Sequence, residues 1–386
     1  MGSFQYVPLL LVTAVFMNAA EPPDILDRIR TAQSAGDFRQ AANLYKQLIA
    51  SGQDTPELRS NASAMLHLSG QDGEALVQAR VALSRNPALA GANLIAGASL
   101  VRLGRPKDAI AYLARAHQQD PRGPAPLLAL GQAYLSLRDY TRSNTAYLEA
   151  AKLNAGNAEA WYGAGITYRS LANAAIKKAP PGAIPPEAER LLDLALQALT
   201  RAVTLQPDAP QAHLILAESY RDSGKFIDAL AEYKAVLKLT PGDGAAELGL
   251  ATTYWKAGEV DNALPALEKV LKKLPDDPEA NGILADIFVR KGEFVRAASH
   301  ARRALDGNPN LTQVRVALAK IYLDENKPEA AIAELQKALP ADPDGSYHYL
   351  LHRALRLVGR DAEASAALEV FKRLRAASSG SARKQM

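Results

Sequence analysis

Two imidazoles four residues apart, His348 and His352, are the side chains of this 386-residue sequence best spaced for chemistry. Residues i and i+4 share one face of a helix, so the pair could grip a divalent metal such as zinc. The residue after the first histidine is Tyr349, where zinc-protease motifs of this spacing carry a glutamate base, and no third ligand is evident. His67, His117, His213 and His300 are scattered through other segments. The absence of cysteine removes thiol nucleophiles, disulfides, Cys-ligated zinc, iron–sulfur clusters and a lipid-modified N-terminal cysteine. There is no Gly-rich phosphate loop and no Gly-x-Ser-x-Gly elbow, and acidic residues lie mainly at helix starts and turns. Asn61-Ala62-Ser63 and Asn310-Leu311-Thr312 fit the glycosylation sequon, a short pattern that arises often by chance. These residues predict a protein without a catalytic centre, metal or cofactor.

The elements that would carry any site are bounded by composition. Apolar residues make up 48% and charged residues 22%, which fits a folded chain and excludes wholesale disorder. At this length either several domains are present or one core is extended in a single dimension. Aromatic residues are only 6% and alanine dominates the apolar set, which favours closely packed helices. The net charge of +4 is unevenly placed. Residues 345–386 carry eight Lys/Arg against three Asp/Glu, and the remainder is close to neutral, so a nucleic-acid-binding body is not expected.

Val7 to Met17 is an uncharged apolar run of eleven residues, too short to span a bilayer, which needs about 20. Ala19 and Ala20 follow, then Glu21-Pro22-Pro23 opens a polar stretch, and the pattern predicts a secretory signal over 1–20. Residues 1–6 lack Lys and Arg, and Asn18 fits the cleavage rule poorly. The alternatives are a short segment packing on the first repeat or a start codon placed too early.

Self-similarity organises the rest. Prolines recur every 34 residues at Pro87 and Pro121, then at Pro207, Pro241, Pro275, Pro309 and Pro343. Ala41, Ala75 and Ala109, then Ala195, Ala229, Ala263, Ala297 and Ala331, keep the same step, as do Gly224, Gly258 and Gly292. Each period reads as two helices: a first such as Ala212–Tyr220, a Gly turn, and a second such as Asp228–Leu239 stopped by proline. A two-helix unit cannot bury both faces alone, so the units must stack. The run Trp161-x-x-Ala164-Gly165-x-x-Tyr168, with Gly258, Ala263 and Pro275 in second halves, resembles the tetratricopeptide repeat (TPR) family. The resemblance covers nearly all of the chain past the signal. It implies an all-α, right-handed superhelical solenoid of about ten units over 22–376, beginning near 22, 56, 90, 124, 158, 210, 244, 278, 312 and 345.

Three departures carry information. The fourth unit has Arg138 in place of the turn glycine and Ala155 in place of proline. The fifth carries an 18-residue insertion, 173–190, which predicts a long helix ending near Lys178, a Pro-rich tip, and a long helix from Pro186. This spur is either a partner or dimer contact or a tolerated extension. The tenth unit is one residue out of phase, as a cap would be, and beyond it the Ser-rich basic tail 377–386 is expected to be disordered.

In proteins of this family, one face of the first helices lines a groove that binds extended peptides or helices. The resemblance places Leu94, Leu128, Tyr162, Leu214 and Leu248 on that face, with Arg169, Arg221 and Trp255 two turns on. An exposed stripe of this kind would mark an interaction site, and Trp, Tyr and Arg are its usual anchors. Alternatively, curvature buries the leucines between neighbouring first helices. The Lys/Asn clamp that grips chaperone C-termini is absent, with only Asn61 in place, and so is the asparagine ladder of the family's sugar transferases. The expected function is therefore a non-enzymatic scaffold binding a protein or peptide partner, exported to the periplasm or secreted, in envelope assembly or secretion. A cytosolic co-chaperone or regulatory adaptor is the alternative. No nucleic acid and no transmembrane span are expected.

Overall fold

Short-range chemistry sets where helices begin and end in this chain, and the same solutions recur. Thr55, Asp243 and Asp277 each accept a hydrogen bond from the backbone N–H three residues on, which caps the helix that follows. Pro56, Pro106, Pro186, Pro278 and Pro328 open helices, where their missing N–H costs nothing. The turn within each pair needs one residue in the left-handed region. Gly258 supplies it at φ 80°, whereas Arg138 and Asn326 adopt φ 59° and 55° with side chains attached.

The computed structural model describes residues 23–179, 183–342 and 344–383. The expected export segment 1–20 lies outside them. The described residues form twenty α-helices and one 3-10 turn, with no strand among them. The first of two units runs through α1 (Pro23–Ser34), α2 (Phe38–Ala50), α3 (Pro56–Leu68), α4 (Asp72–Arg85) and α5 (Ala90–Arg102). It continues with α6 (Pro106–Gln119), α7 (Ala125–Ser136), α8 (Tyr140–Leu153), α9 (Ala158–Lys178) and α10 (Pro186–Leu205). Helix α11 (Pro210–Asp222) carries the boundary between units, at Ser219 and Tyr220. The second unit holds α12 (Phe226–Leu239), α13 (Gly244–Lys256), α14 (Val260–Lys273), α15 (Pro278–Arg290) and α16 (Phe294–Gly307). It ends with α17 (Thr312–Asp324), α18 (Pro328–Ala338), α19 (Ser346–Leu357) and α20 (Asp361–Arg383).

Within each unit helices pack in antiparallel pairs, and the first helices of successive pairs also touch: α3, α5, α7 and α9, then α13, α15, α17 and α19. This side-by-side stacking of hairpins is the solenoid arrangement. The alanines of the second-helix register, including Ala41, Ala109, Ala195, Ala263 and Ala331, are all fully buried. Close approach also rests on glycine. A Cβ at Gly97 would strike Leu113, and one at Gly131 or Gly163 would strike the ring of Tyr147.

A polar lock repeats beneath the apolar pattern. Asn93 Nδ2 donates to the Pro87 carbonyl at 3.0 Å, and Asn281 Nδ2 donates to that of Pro275 at 2.9 Å. At equivalent places Trp161 Nε1 donates to Ala155 (3.0 Å), His213 Nε2 to Pro207 (2.9 Å) and Arg315 Nε to Pro309 (3.0 Å). Each ties a first helix to the carbonyl six residues earlier, in the turn that enters it. Three other donors, an indole, an imidazole and a guanidinium, thus serve in place of the asparagine amide; a reachable N–H is enough.

The insertion forms the expected pair of long helices, α9 and α10, and they are the most extensively packed pair. The C-terminus differs from expectation. The sequence predicts disorder over 377–386, but α20 continues to Arg383, because the run from Ala376 has no proline to stop a helix already begun at Asp361.

Candidate partner-binding face

Residues at positions 5, 9 and 12 of a first helix share a face because their separations are four and three. Depth along that face is set by the neighbouring first helix. Leu94 and Leu128 are 8% and 2% exposed and belong to the core of the first unit. This corrects the reading of them as groove residues: α3, α5, α7 and α9 approach closely enough to close over this register. Tyr162 is half-buried, its hydroxyl hydrogen-bonded to the Gln211 side chain of α11, and burial pushes its pKa up to about 12. Leu214 is half-buried on α11. Arg169 reaches from α9 to Glu218 of α11 at 2.8 Å.

In the second unit Arg221 lies 3.5 Å from Asp222. Leu248 and Trp255 are half-buried and lean on the core formed by α13 to α17. The Trp255 indole N–H donates to Asp286 at 3.2 Å, and Arg290 pairs with the same carboxylate at 2.8 Å.

The face is more polar than the sequence reading allowed. Gln132, Ile166, Glu218, Thr252 and Asp286 occupy one register of it, and Glu159, Gln211 and Glu279 another. Thr252 Oγ1 donates to Glu279 at 3.2 Å, which ties adjacent first helices α13 and α15. These residues keep the 34-residue step, so the period itself was the signal that could have found them. The strip still partly open in the first unit comprises Val101, Gln132, Leu135, Ile166, Arg169, Leu214 and Glu218.

The histidines do structural work. His348 Nδ1 meets Asp342 Oδ2 at 2.6 Å, and His352 Nδ1 donates to the Ala364 carbonyl at 2.9 Å, linking α19 to α20. His67 gathers a Ser–His–Asp set that the sequence did not suggest: its Nδ1 is 2.6 Å from Asp72 and 3.1 Å from Ser99 Oγ. A nucleophile relay needs the hydroxyl and the carboxylate on opposite ring nitrogens. Here both converge on one nitrogen, and Arg102 holds Asp72 at 3.0 Å and the His67 carbonyl at 2.9 Å, so the cluster joins α3, α4 and α5. No described helix is long and apolar enough to cross a membrane.

Two family models, both described as tetratricopeptide repeat, match the chain. One covers residues 220–287 and 288–355, the other 26–79, 128–184 and 187–244, together well over half of the sequence. No curated protein matches. Among solved structures, PilF of Pseudomonas aeruginosa is similar at 16% identity and TM-score 0.49, over 60% of this chain and 97% of that one. Yeast Tom70 is similar at 15% identity and TM-score 0.41, over 91% of each chain. YrrB, described as a TPR protein with an unusual peptide-binding site, is similar at 21% identity and TM-score 0.43, over 52% of this chain and 95% of its own. Likeness at this level carries no partner or role across.

Proposed function

We propose, for a chain that belongs to the tetratricopeptide repeat family, that the open strip of its first helices receives an extended peptide or a helix of a partner protein. Tetratricopeptide repeats indicate a protein–protein interaction scaffold. The observation that supports the finer reading is the strip itself. Leu135, Ile166 and Leu214 remain partly open on α7, α9 and α11, each about one helical turn from the next in repeat register, bordered by Gln132 and the Arg169–Glu218 pair. Apolar contacts along a line, with polar groups at fixed intervals, suit an elongated ligand better than a compact one. We further propose export, with residues 1–20 as a signal, and a role in envelope assembly or secretion.

The strip is tested by placing a photo-crosslinking residue at Gln132, which is exposed on α7, and at Val77, which is 55% exposed on α4. The expected outcome is a defined crosslinked partner from Gln132 and none from Val77. Equal capture at both positions, or capture at Val77 alone, would remove the strip as the working surface. N-terminal sequencing of the protein recovered from cell fractions decides the export proposal: an N-terminus near Glu21 in the envelope or medium supports it, and an intact Met1 in the cytosol overturns it.

A further inference from the structure

Helix α19 closes the second unit with one face and leaves the opposite face bare. Tyr347, Leu351, Ala354 and Leu355 are buried in one cluster with Val316 and Ala319 of α17 and Ile332 and Leu335 of α18. Ser346, Tyr349, Arg353, Arg356 and Leu357 are exposed, and steps of three and four residues make them a single strip along the helix. Elsewhere in the stack this register does not stay open. The fifth position of a first helix holds Leu94, Leu128 and Val316, all buried where the next first helix packs. Tyr349 takes that position in α19, the last first helix among the described residues, and is 43% exposed; Leu357, two turns on, is 60% exposed. A terminal repeat ordinarily turns a polar face outward, and this one shows a tyrosine and a leucine.

The tyrosine is held in place. Its ring lies 5.2 Å from that of Phe371 and 6.2 Å from that of His352, so an aromatic anchor stands fixed in solvent. Between Tyr349 and Leu357, Arg353 makes no hydrogen bond or ion pair with any described residue. Arg356 pairs with Asp361 at 3.1 Å, but both side chains lie mostly in solvent, where such a pair is weak. The terminal hairpin cannot neutralise these charges itself. Residues 345–386 carry eight Lys/Arg and three Asp/Glu, and each acid is already paired: Asp361 with Arg356, Glu363 with Arg360, and Glu369 with Lys372.

The geometry points to the outer strip of α19 as the seat of an acidic, amphipathic helix from a partner protein. A helix fits because a first helix is what covers the same register elsewhere in the chain. Acid fits because the strip is apolar at Tyr349 and Leu357 and basic between them. These two residues lie about 12 Å apart along α19 at the helical rise. The partner therefore presents two apolar residues about seven or eight positions apart, with Asp or Glu between them to meet Arg353 and Arg356. This surface is separate from the open strip of the first unit and does not rest on it.

The test selects helical peptides of about 20 residues, randomised on one face, for binding to the full chain and against binding to a Tyr349→Ser, Leu357→Ser double variant. The expected survivors carry the spaced apolar pair with Asp or Glu between. Arg353→Glu should weaken a resynthesised survivor about tenfold or more, and replacing the peptide's acid by Lys should restore binding to that variant. Survivors without an acidic residue, or equal affinity for wild type and Arg353→Glu, would overturn the site. So would a selection that yields no peptide sensitive to the double variant. Sedimentation of the free chain tests the other occupant: a dimer that the double variant converts to monomer would show a second copy on the strip and remove the partner helix. The substituted side chains are exposed, so the variants should melt with the wild type, which confirms that they are folded. None of these outcomes touches the crosslink at Gln132, so the two surfaces stand or fall separately.

Discussion

Partial burial of its carboxyl at the start of α9 makes Glu159 a measurable cost to the fold. Its folded pKa of about 7 lies above the ordinary 4.5, so the folded protein holds the proton more tightly than the unfolded chain. Stability from this group is therefore greatest below the ordinary value and declines as pH rises through the window from 4.5 to about 7. Glu159→Gln, which mimics the protonated form, should melt at a higher temperature than the wild type at pH 8 and at nearly the same temperature at pH 5. Equal melting temperatures at both pH values would mean that the carboxyl is hydrated after all. A second residue-scale cost sits at Arg138, which holds φ 59° where most repeats have glycine. Arg138→Gly should stabilise the protein by about 1 kcal/mol in urea unfolding. Asn326→Gly, at φ 55°, should gain less, because asparagine tolerates the left-handed region better.

At the scale of the element, the question is what holds each first helix at its angle to the turn that precedes it. The donor at the fourth position does so through a carbonyl six residues back, and its identity changes from amide to indole, imidazole and guanidinium along the chain. Asn281 adds a bond from its Nδ2 to the Asp277 carbonyl at 2.9 Å and one between its Oδ1 and His300 Nδ1 at 2.8 Å. Asn281→Ala should therefore cost about 1–3 kcal/mol by urea denaturation, because buried acceptors are left without donors. Leu127 occupies the equivalent place on α7, is 3% exposed, and makes its contribution through the apolar core instead. A cost near zero for Asn281→Ala would show that the lock is incidental to packing. Glu247, also at this position, cannot donate as a carboxylate; it is buried and pairs with Lys269 at 3.0 Å and Lys273 at 2.6 Å, which draw its pKa below the ordinary carboxylate range.

At the scale of the whole molecule, a stack of hairpins distributes stability between neighbours, and its ends need covering. Helices α19 and α20 do this for the second unit: Tyr347, Leu351 and Leu355 close over Ile332 and Leu335 of α18. Truncation after Ala341 should lower amide protection sharply in α17 and α18 and leave α13 and α14 close to wild type by hydrogen exchange. Uniform loss across the second unit would mean that it unfolds as one cooperative body rather than as a repeat array.

What the sequence determined on its own was everything that depends on spacing along the chain. The 34-residue period, the buried alanines from Ala41 to Ala331, the paired helices, the long α9–α10 hairpin and the family itself follow from local propensity and register, which act between residues close in sequence. Spacing also placed Leu94, Leu128, Tyr162 and Trp255 on one face. It did not set their depth. How far a side chain sinks depends on how near the next first helix comes, and that distance is a sum over packing at many residues of both helices. Hence Leu128 is sealed while Trp255 is half-open, although both lie on the same helical face. Tertiary structure likewise decided that His67, Asp72 and Ser99 meet and that Arg169 finds Glu218, since each outcome turns on groups brought together from separate helices.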